Sequence, residues 1–183
     1  MRKVLIVVDM QNDFVAEDGV LSSQAARAIV PFVKERVRKA LEAGEDVVFT
    51  LDTHLEDDLE FDKFAPHCIK GSWGHELIPE LGELLRPDIM GQVHFVEKNR
   101  YSAFFQTDLE DYLGLGLEAN RQRVDEVELV GVCTNICVYF TGEELANRDV
   151  KTSVSEQGVA SFDLEAHHFA LAQMKSVLGI EVL

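Results

Sequence analysis

Gly131-Val-Cys-Thr-Asn-Ile-Cys-Val138 follows an alternating apolar run over residues 127–132. It precedes a segment in which Val138, Phe140, Leu145 and Ala146 are interleaved with Thr141, Glu143, Glu144 and Asn147. The first pattern predicts a strand and the second a half-buried helix. A strand, a tight Gly/Thr/Asn turn and a helix place Cys137 in or beside the first helical turn. Orphan backbone N–H groups and the positive end of the helix dipole favour a thiolate there. The same N–H groups can hold a developing oxyanion. Nucleophile and oxyanion donors can thus come from one short stretch, although most lone cysteines are core residues.

Other strands end in ionisable residues too. Residues 4–8 form a continuous β-branched and Leu run that reads as a strand buried on both faces, and it stops at Asp9. Residues 24–43 carry Ile29, Val33, Val37 and Leu41 at four-residue spacing against Lys34, Glu35, Arg38 and Glu42. That predicts an amphipathic helix with Pro31 in its first turns and Gly44 as its stop. A strand over 46–51 then runs into Asp52-Thr53-His54. Residues two apart on an extended segment project to the same side, so Asp52 and His54 form a pair suited to a divalent metal. The loop over 55–74 offers Asp57, Asp58, Glu60, Asp62 and His67 to complete such a site, or is simply an acidic solvated loop.

Further on, the pattern predicts a short helix over 76–85 and a strand over 92–97 with Val93, Phe95 and Glu97 on one face. Lys98 follows it. Thr107 is positioned to cap a helix over 108–113, and the 114–123 segment is less regular. A strand over 149–154, a helix capped by Asp163 and carrying Leu164, His168, Leu171 and Leu178, and a final strand over 180–183 complete the chain. Strands alternating with helices imply an α/β fold, a parallel sheet covered on both sides. In such sheets ligand chemistry gathers at the carboxyl ends of the strands, where Asp9, Lys98 and Cys137 would lie. Acid, base and thiol on separate strand ends have the parts of a nucleophilic catalyst.

Composition narrows the field. The 183 residues, 46% hydrophobic and 27% charged, suit one domain over 1–183 with a full core. A net charge of −16 argues against nucleic acid or an anionic membrane as partner. Three cysteines at irregular spacing fit a reducing compartment, so the cytoplasm is expected. The first apolar run is too short for a signal peptide or a membrane span.

The motifs, taken together and in order, resemble the isochorismatase-like cysteine hydrolases, and within them the nicotinamidase branch. The matching segments are Val-Asp-Met-Gln-Asn-Asp-Phe at 8–14, Asp-Thr-His at 52–54 and Pro-His-Cys-Ile-Lys-Gly-Ser-Trp-Gly at 66–74. Glu-Lys-Asn-Arg-Tyr-Ser-Ala-Phe at 97–104, the stretch at 131–138 and Val-Ala-Ser-Phe at 159–162 continue the series. The resemblance implies a three-layer, doubly wound sheet of six mainly parallel strands in the order 3-2-1-4-5-6. It implies Cys137 as nucleophile, Asp9 as its proton acceptor and donor, and Lys98 as third member. The oxyanion hole would be the backbone N–H groups of Cys133 and Cys137, with a cis Val132–Cys133 peptide.

By the same resemblance Asp52, His54 and His67, with Glu60 as fourth, would hold one divalent metal ion. Zinc is the first choice and iron or manganese the alternatives. Phe14, Phe64 and Tyr101 fall where relatives pack the substrate ring. The implied substrates are nicotinamide and pyrazinamide, cleaved at the carboxamide, with a homo-oligomer left open. Carbamoyl or ureido acids are the rival substrates, and a non-catalytic binding module is the rival from another class. Two positions depart from the family pattern: Ala65 replaces a common proline, expected to loosen its loop, and Asn135 replaces a common Asp.

Overall fold

In the computed structural model of the protein, which describes residues 1–117 and 120–183, the strands are β1 (Lys3–Val8), β2 (Asp46–Asp52), β3 (Val93–Lys98), β4 (Glu126–Val132), β5 (Lys151–Ala160) and β6 (Glu181–Val182). They form a single sheet in the order β3-β2-β1-β4-β5-β6, and every pairing is parallel. The helices are α1 (Asn12–Val15), α2 (Gln24–Ala28), α3 (Val30–Glu42), α4 (Pro79–Gly82), α5 (Leu109–Tyr112), α6 (Tyr139–Asn147) and α7 (Leu164–Ser176).

The two-residue period of β1 explains the layers. Val4, Ile6 and Val8 enter one core with Leu109 of α5, Leu145 of α6 and Leu171 and Met174 of α7. Leu5 and Val7 enter the other with Val33, Val37 and Ala40 of α3 and Leu81 of α4. Each of these strand side chains is at most 2% exposed, and each contributes roughly 1.5–3 kcal/mol by leaving water. The result is the expected three-layer fold with helices on both faces.

β1 and β4 are neighbours across the point where the strand order reverses, with Val8 opposite Gly131. Gly131 has φ +116°, and a Cβ there would lie 2.1 Å from the Val8 carbonyl oxygen. Only glycine lets the two strand ends approach this closely. Among the described residues no helix is long and apolar enough to cross a membrane.

Several element bounds differ from the sequence reading. The helix expected over 24–43 is two, because the chain turns at Ile29 and α3 restarts with Pro31 in its first turn. It ends as expected at Gly44, φ +74°, whose N–H donates to Leu41 O while Glu45 N–H donates to Ala40 O. The helix expected over 76–85 is only the single turn α4, since Leu77 instead bridges Gln11 in an extended contact. On β3, Phe95 and Glu97 do share a face, but it is the exposed one; Val96 and Lys98 point inward. At α5 the N-cap is Asp108, while Thr107 Oγ1 accepts from Leu109 N–H. Within 114–123, residues 118 and 119 lie outside the described residues.

β5 is longer than the expected 149–154. A register shift against β4 between Leu129 and Gly131 lets the strand carry the polar residues 155–157 and continue to Ala160. Asp163 caps α7 as expected, accepting from Ala166 N–H. The buried stripe of α7 is His167, Ala170, Leu171 and Met174, however, and Leu164 is exposed. Phe140 of α6 is likewise exposed, and Thr141, Gly142 and Leu145 take the inner face.

Candidate active site

Because every strand is parallel, the residues that end or follow β1, β2, β3 and β4 meet at one edge of the sheet. Asp9 leaves β1 with φ +51°, a left-handed conformation that Asp tolerates better than most residues. Thr50 on β2 holds it there: Asp9 N–H donates to Thr50 O and Oγ1, and the Thr50 hydroxyl donates to Asp9 Oδ1. Lys98, at the end of β3, is 2% exposed. Its Nζ lies 2.8 Å from Asp9 Oδ2 and 3.0 Å from Asp52 Oδ1, and it donates to Cys137 Sγ at 3.5 Å. The contact with Asp9 Oδ2 is an ion pair without an aligned hydrogen bond.

Cys137 sits on a π-helical turn, Thr134–Val138, that leads directly into α6. Ile136 N–H and Val138 N–H both donate to Cys133 O, and the Val132–Cys133 peptide is cis, as the resemblance implies. Behind the turn, His167 of α7 shares a 2.8 Å hydrogen bond with the Thr134 hydroxyl.

Charges in this dry space perturb one another strongly. Burial pushes the Asp9 carboxyl up, only partly opposed by Lys98. Burial also pushes the Cys137 thiol well up; Lys98 works against it, while Asp9 and Asp52 reinforce it. Burial would lower Lys98, but Asp52, Asp9 and Cys137 override it and hold the ammonium charged. The resting site therefore keeps a thiol, a proton-hungry carboxyl and a fixed cation together. Such a set can move one proton between sulfur and carboxyl while Lys98 stabilises whichever carries the charge.

Beside it Asp52, His54, Glu60 and His67 are all buried, each offering a ligand atom within 4.8 Å of the others. Their hydrogen bonding shows what they lack. The Ala65 carbonyl can only accept, so His67 Nδ1, 2.8 Å away, carries the ring hydrogen. The opposite nitrogen, His67 Nε2, faces Asp52 Oδ2 at 3.2 Å. His54 meets a carboxylate at each nitrogen, Asp58 Oδ2 at 2.9 Å from Nδ1 and Asp52 Oδ2 at 3.0 Å from Nε2. Burial acts to lower its pKa, but these carboxylates lift it to about 9. Burial, reinforced by Asp52, also raises the Glu60 carboxyl, whose Oε2 is buried without a hydrogen-bond partner among the described residues. Four buried ligand atoms converging beside a carboxylate oxygen that has no donor fit a divalent cation, which would take the place of the protons on His54 and Glu60, and the N/O donor set suits a first-row metal.

Both groups open on a cleft lined by Phe14, Leu21, Asp52, Glu60, Phe64, His67, Tyr101, Cys133, Ile136, Cys137 and Phe162. The triad, the four candidate ligands and the three aromatic residues are thereby brought together, Asp9, His54 and Lys98 lying just behind this lining, whereas the candidate ligands Asp57 and Asp62 are exposed and stand apart. Asp58, an open candidate ligand in the sequence, instead meets the opposite ring nitrogen of His54. The backbone carbonyl of Ala65 meets His67 Nδ1. Asn135 carries a buried Oδ1 without a partner among the described residues.

Sequence reasoning missed Leu21, Ile136 and Phe162 as lining, and also Gln11. The fully buried amide of Gln11 accepts from Asp52 N–H at 2.7 Å and donates to Asp52 O at 2.9 Å, clamping the end of β2 to the end of β1. Phe162, in the quoted Val-Ala-Ser-Phe, was within reach of the strand-end argument. Gln11 was not, because nothing in its spacing says what it bonds.

Comparison with known proteins places this geometry. The model of the isochorismatase domain matches residues 3–182. An isochorismatase family protein PncA of Bacillus subtilis is 37% identical, with 100% of this chain and 99% of that protein covered. The crystal structure of nicotinamidase/pyrazinamidase PncA from Bacillus subtilis superposes with a TM-score of 0.91 at 38% identity, covering 100% of this chain and 99% of that one. Pyrazinamidase of Pyrococcus horikoshii in complex with zinc gives 0.85 at 29% identity, with 100% and 99% covered. N-carbamoylsarcosine amidase from Thermoplasma acidophilum gives 0.82 at 30% identity, with 100% and 95% covered. Matched by the family model over residues 3–182 and 37% identical to a relative along its whole length, the chain belongs to the isochorismatase family.

Proposed function

We propose that the protein is an amidohydrolase that converts nicotinamide to nicotinate and ammonia through a thioester on Cys137, with residues 1–183 acting as one hydrolase domain. The observation that carries this reading is the Lys98 ammonium, 2.8 Å from Asp9 and 3.5 Å from Cys137, just behind the wall of an aromatic cleft that Cys137 lines. Its solved relatives include a nicotinamidase/pyrazinamidase that the chain covers almost completely.

The steps follow from the residue types. Asp9 accepts the Cys137 proton as sulfur attacks the carboxamide carbon. The backbone N–H groups of Cys133 and Cys137 receive the oxyanion, each worth about 3 kcal/mol in comparable sites. Asp9 returns the proton to the amide nitrogen, the C–N bond breaks and ammonia leaves. A water then gives a proton to Asp9 and its oxygen to the acyl carbon. The C–S bond breaks, the sulfur recovers the proton, and the carboxylic acid is released. Phe14, Phe64 and Tyr101 hold the ring.

A divalent ion held by Asp52, His54, Glu60 and His67 would supply a Lewis-acidic point for the pyridine nitrogen. Zinc is the proposed metal, with iron or manganese as alternatives. Carbamoyl and ureido acids are the less favoured substrates: the cleft lining contains no Arg or Lys among the described residues to receive a substrate carboxylate. Cys68, Cys133 and Cys137 are all unpaired, in keeping with the cytoplasm as the proposed compartment. The test is ammonia release from nicotinamide by the purified protein, measured beside an N-carbamoyl amino acid. Release from the carbamoyl compound alone would overturn the assignment.

A further inference from the structure

We infer that Asp58 and Arg100 are positioning residues for the cation site: Arg100 fixes the Asp58 carboxylate, and Asp58 fixes both the ring of His54 and the turn that carries Glu60. The inference deepens the metal reading given above and rests on it.

Asp58 stands just before the 3₁₀ turn Leu59–Asp62 and caps it, Oδ1 accepting from Glu60 N–H at 2.9 Å. Its Oδ2 lies 2.9 Å from His54 Nδ1. Arg100, from the segment after β3, places Nη1 at 3.1 Å from Oδ1 and 3.2 Å from Oδ2. Both oxygens are thus engaged. The His54 ring stands between Asp58 and the other candidate ligands, since its opposite nitrogen, Nε2, is the one that meets Asp52. An acidic side chain in the middle of an acidic loop is therefore a supporting group behind a ligand.

The chemistry of that placement is specific. A carboxylate on Nδ1 keeps the hydrogen there, leaves the Nε2 lone pair free for a cation, fixes the plane of the ring and makes the imidazole a better donor. The same carboxylate sets where the Glu60 backbone stands. Two of the four candidate ligands therefore depend on one side chain that does not itself face the ion. The Asp58 side chain is 8% exposed, and without a counter-charge a carboxylate so placed would be costly. The Arg100 guanidinium, 38% exposed, supplies that charge from the rim.

Protein stripped of metal is titrated with Zn²⁺ against a chromophoric chelator, and separately with Co²⁺ followed by its visible absorption. The wild type, Asp58→Asn, Arg100→Met, Arg100→Lys and the Asp58→Asn/Arg100→Met double variant are compared. We expect Asp58→Asn to weaken zinc binding about 10–100-fold and to shift the cobalt bands, with melting of the metal-free protein little changed. Arg100→Met should weaken binding several-fold, Arg100→Lys should restore most of it, and the double variant should be no worse than Asp58→Asn alone. If Asp58→Asn folds poorly, the Arg100 pair decides, since its partly exposed side chain can be changed without disturbing the core. A wild type that binds one zinc while Asp58→Asn and Arg100→Met bind as tightly would overturn this inference and leave the metal reading standing. A wild type that binds zinc no better than Asp52→Asn would overturn both.

Discussion

Val8 and Gly131 face each other across the centre of the sheet so closely that one added methyl group would sit 2.1 Å from the Val8 carbonyl oxygen. The contact is with backbone, which has no rotamer to yield, and the φ of +116° at Gly131 is itself unfavourable for alanine. Gly131→Ala should therefore cost more than about 2 kcal/mol in urea unfolding, and any protein that folds should have a misplaced Cys137. Stability within about 0.5 kcal/mol of the wild type would show that the approach of β1 and β4 is not as constrained as the geometry says.

Cys137→Ala should abolish turnover while the protein stays folded, because the change removes a single buried sulfur from the edge of one core. Cys133→Ala should be far milder, as only its backbone N–H has a role. Equal losses of activity in the two variants would remove Cys137 from the chemistry.

Asp9→Asn keeps the shape of the carboxyl and can still accept from Thr50, but cannot take the thiol proton. Turnover should fall by about 10²–10⁴-fold, the usual range for general acid–base work. Alkylation of Cys137 by iodoacetamide near neutral pH should slow with it. Unchanged labelling and activity would reduce Asp9 to a turn residue.

Benzamide has the carboxamide and ring of nicotinamide without the ring nitrogen. Its kcat/KM should be lower by about 10²-fold or more, about 2.7 kcal/mol of transition-state stabilisation, whereas pyrazinamide should remain a substrate. Removing metal with a chelator, or His54→Ala, should bring nicotinamide towards the benzamide level and leave benzamide nearly unaffected. Benzamide turning over within a few-fold of nicotinamide on the intact enzyme would disconnect the cation from substrate recognition.

His167 lies buried under the Thr134 hydroxyl, and burial, with His168 nearby and Glu156 opposing, lowers its pKa from the usual 6.5. The unfolded chain therefore binds this proton more readily than the fold does. Its contribution to stability is complete above the unfolded value of about 6.5 and is lost as pH falls from there through the lower value of the folded state. Urea unfolding between pH 7.5 and 5 should show a steeper acid-side loss for the wild type than for His167→Asn, by at most about 1.4 kcal/mol per pH unit. Parallel curves would mean that His167 titrates alike in both states.

The fold was legible because its signals are local. The double-sided apolar run at 4–8 announces a central parallel strand, and the stretch at 131–138 announces a strand, a turn and a helix start. Once the sheet is parallel, the residues ending β1 to β4 must share an edge, so Asp9, Lys98 and Cys137 needed no distance information. What stayed hidden depends on long-range partners. Nothing in the spacing of Gln11 says that its amide clamps the backbone of Asp52, 41 residues away. Asp58 looks like any acidic loop residue until the His54 ring is seen to lie between it and Asp52. Phe140 and Leu164 were misjudged for a related reason: amphipathic spacing identifies a stripe but not which side the neighbouring layer covers.

Lys98 standing between Asp9 and Asp52 has a consequence for the electroneutrality of the interior. Counted as ionised and with His54 neutral, Asp9, Asp52 and Glu60 against one ammonium leave two negative charges among buried side chains. The proposed divalent cation would cancel them once it displaces the proton that the same carboxylates otherwise hold on His54. A proton passing from Cys137 to Asp9 remains inside the same boundary. The thiol can become a thiolate without changing the total, and the low-dielectric interior never has to hold an uncompensated charge while sulfur attacks.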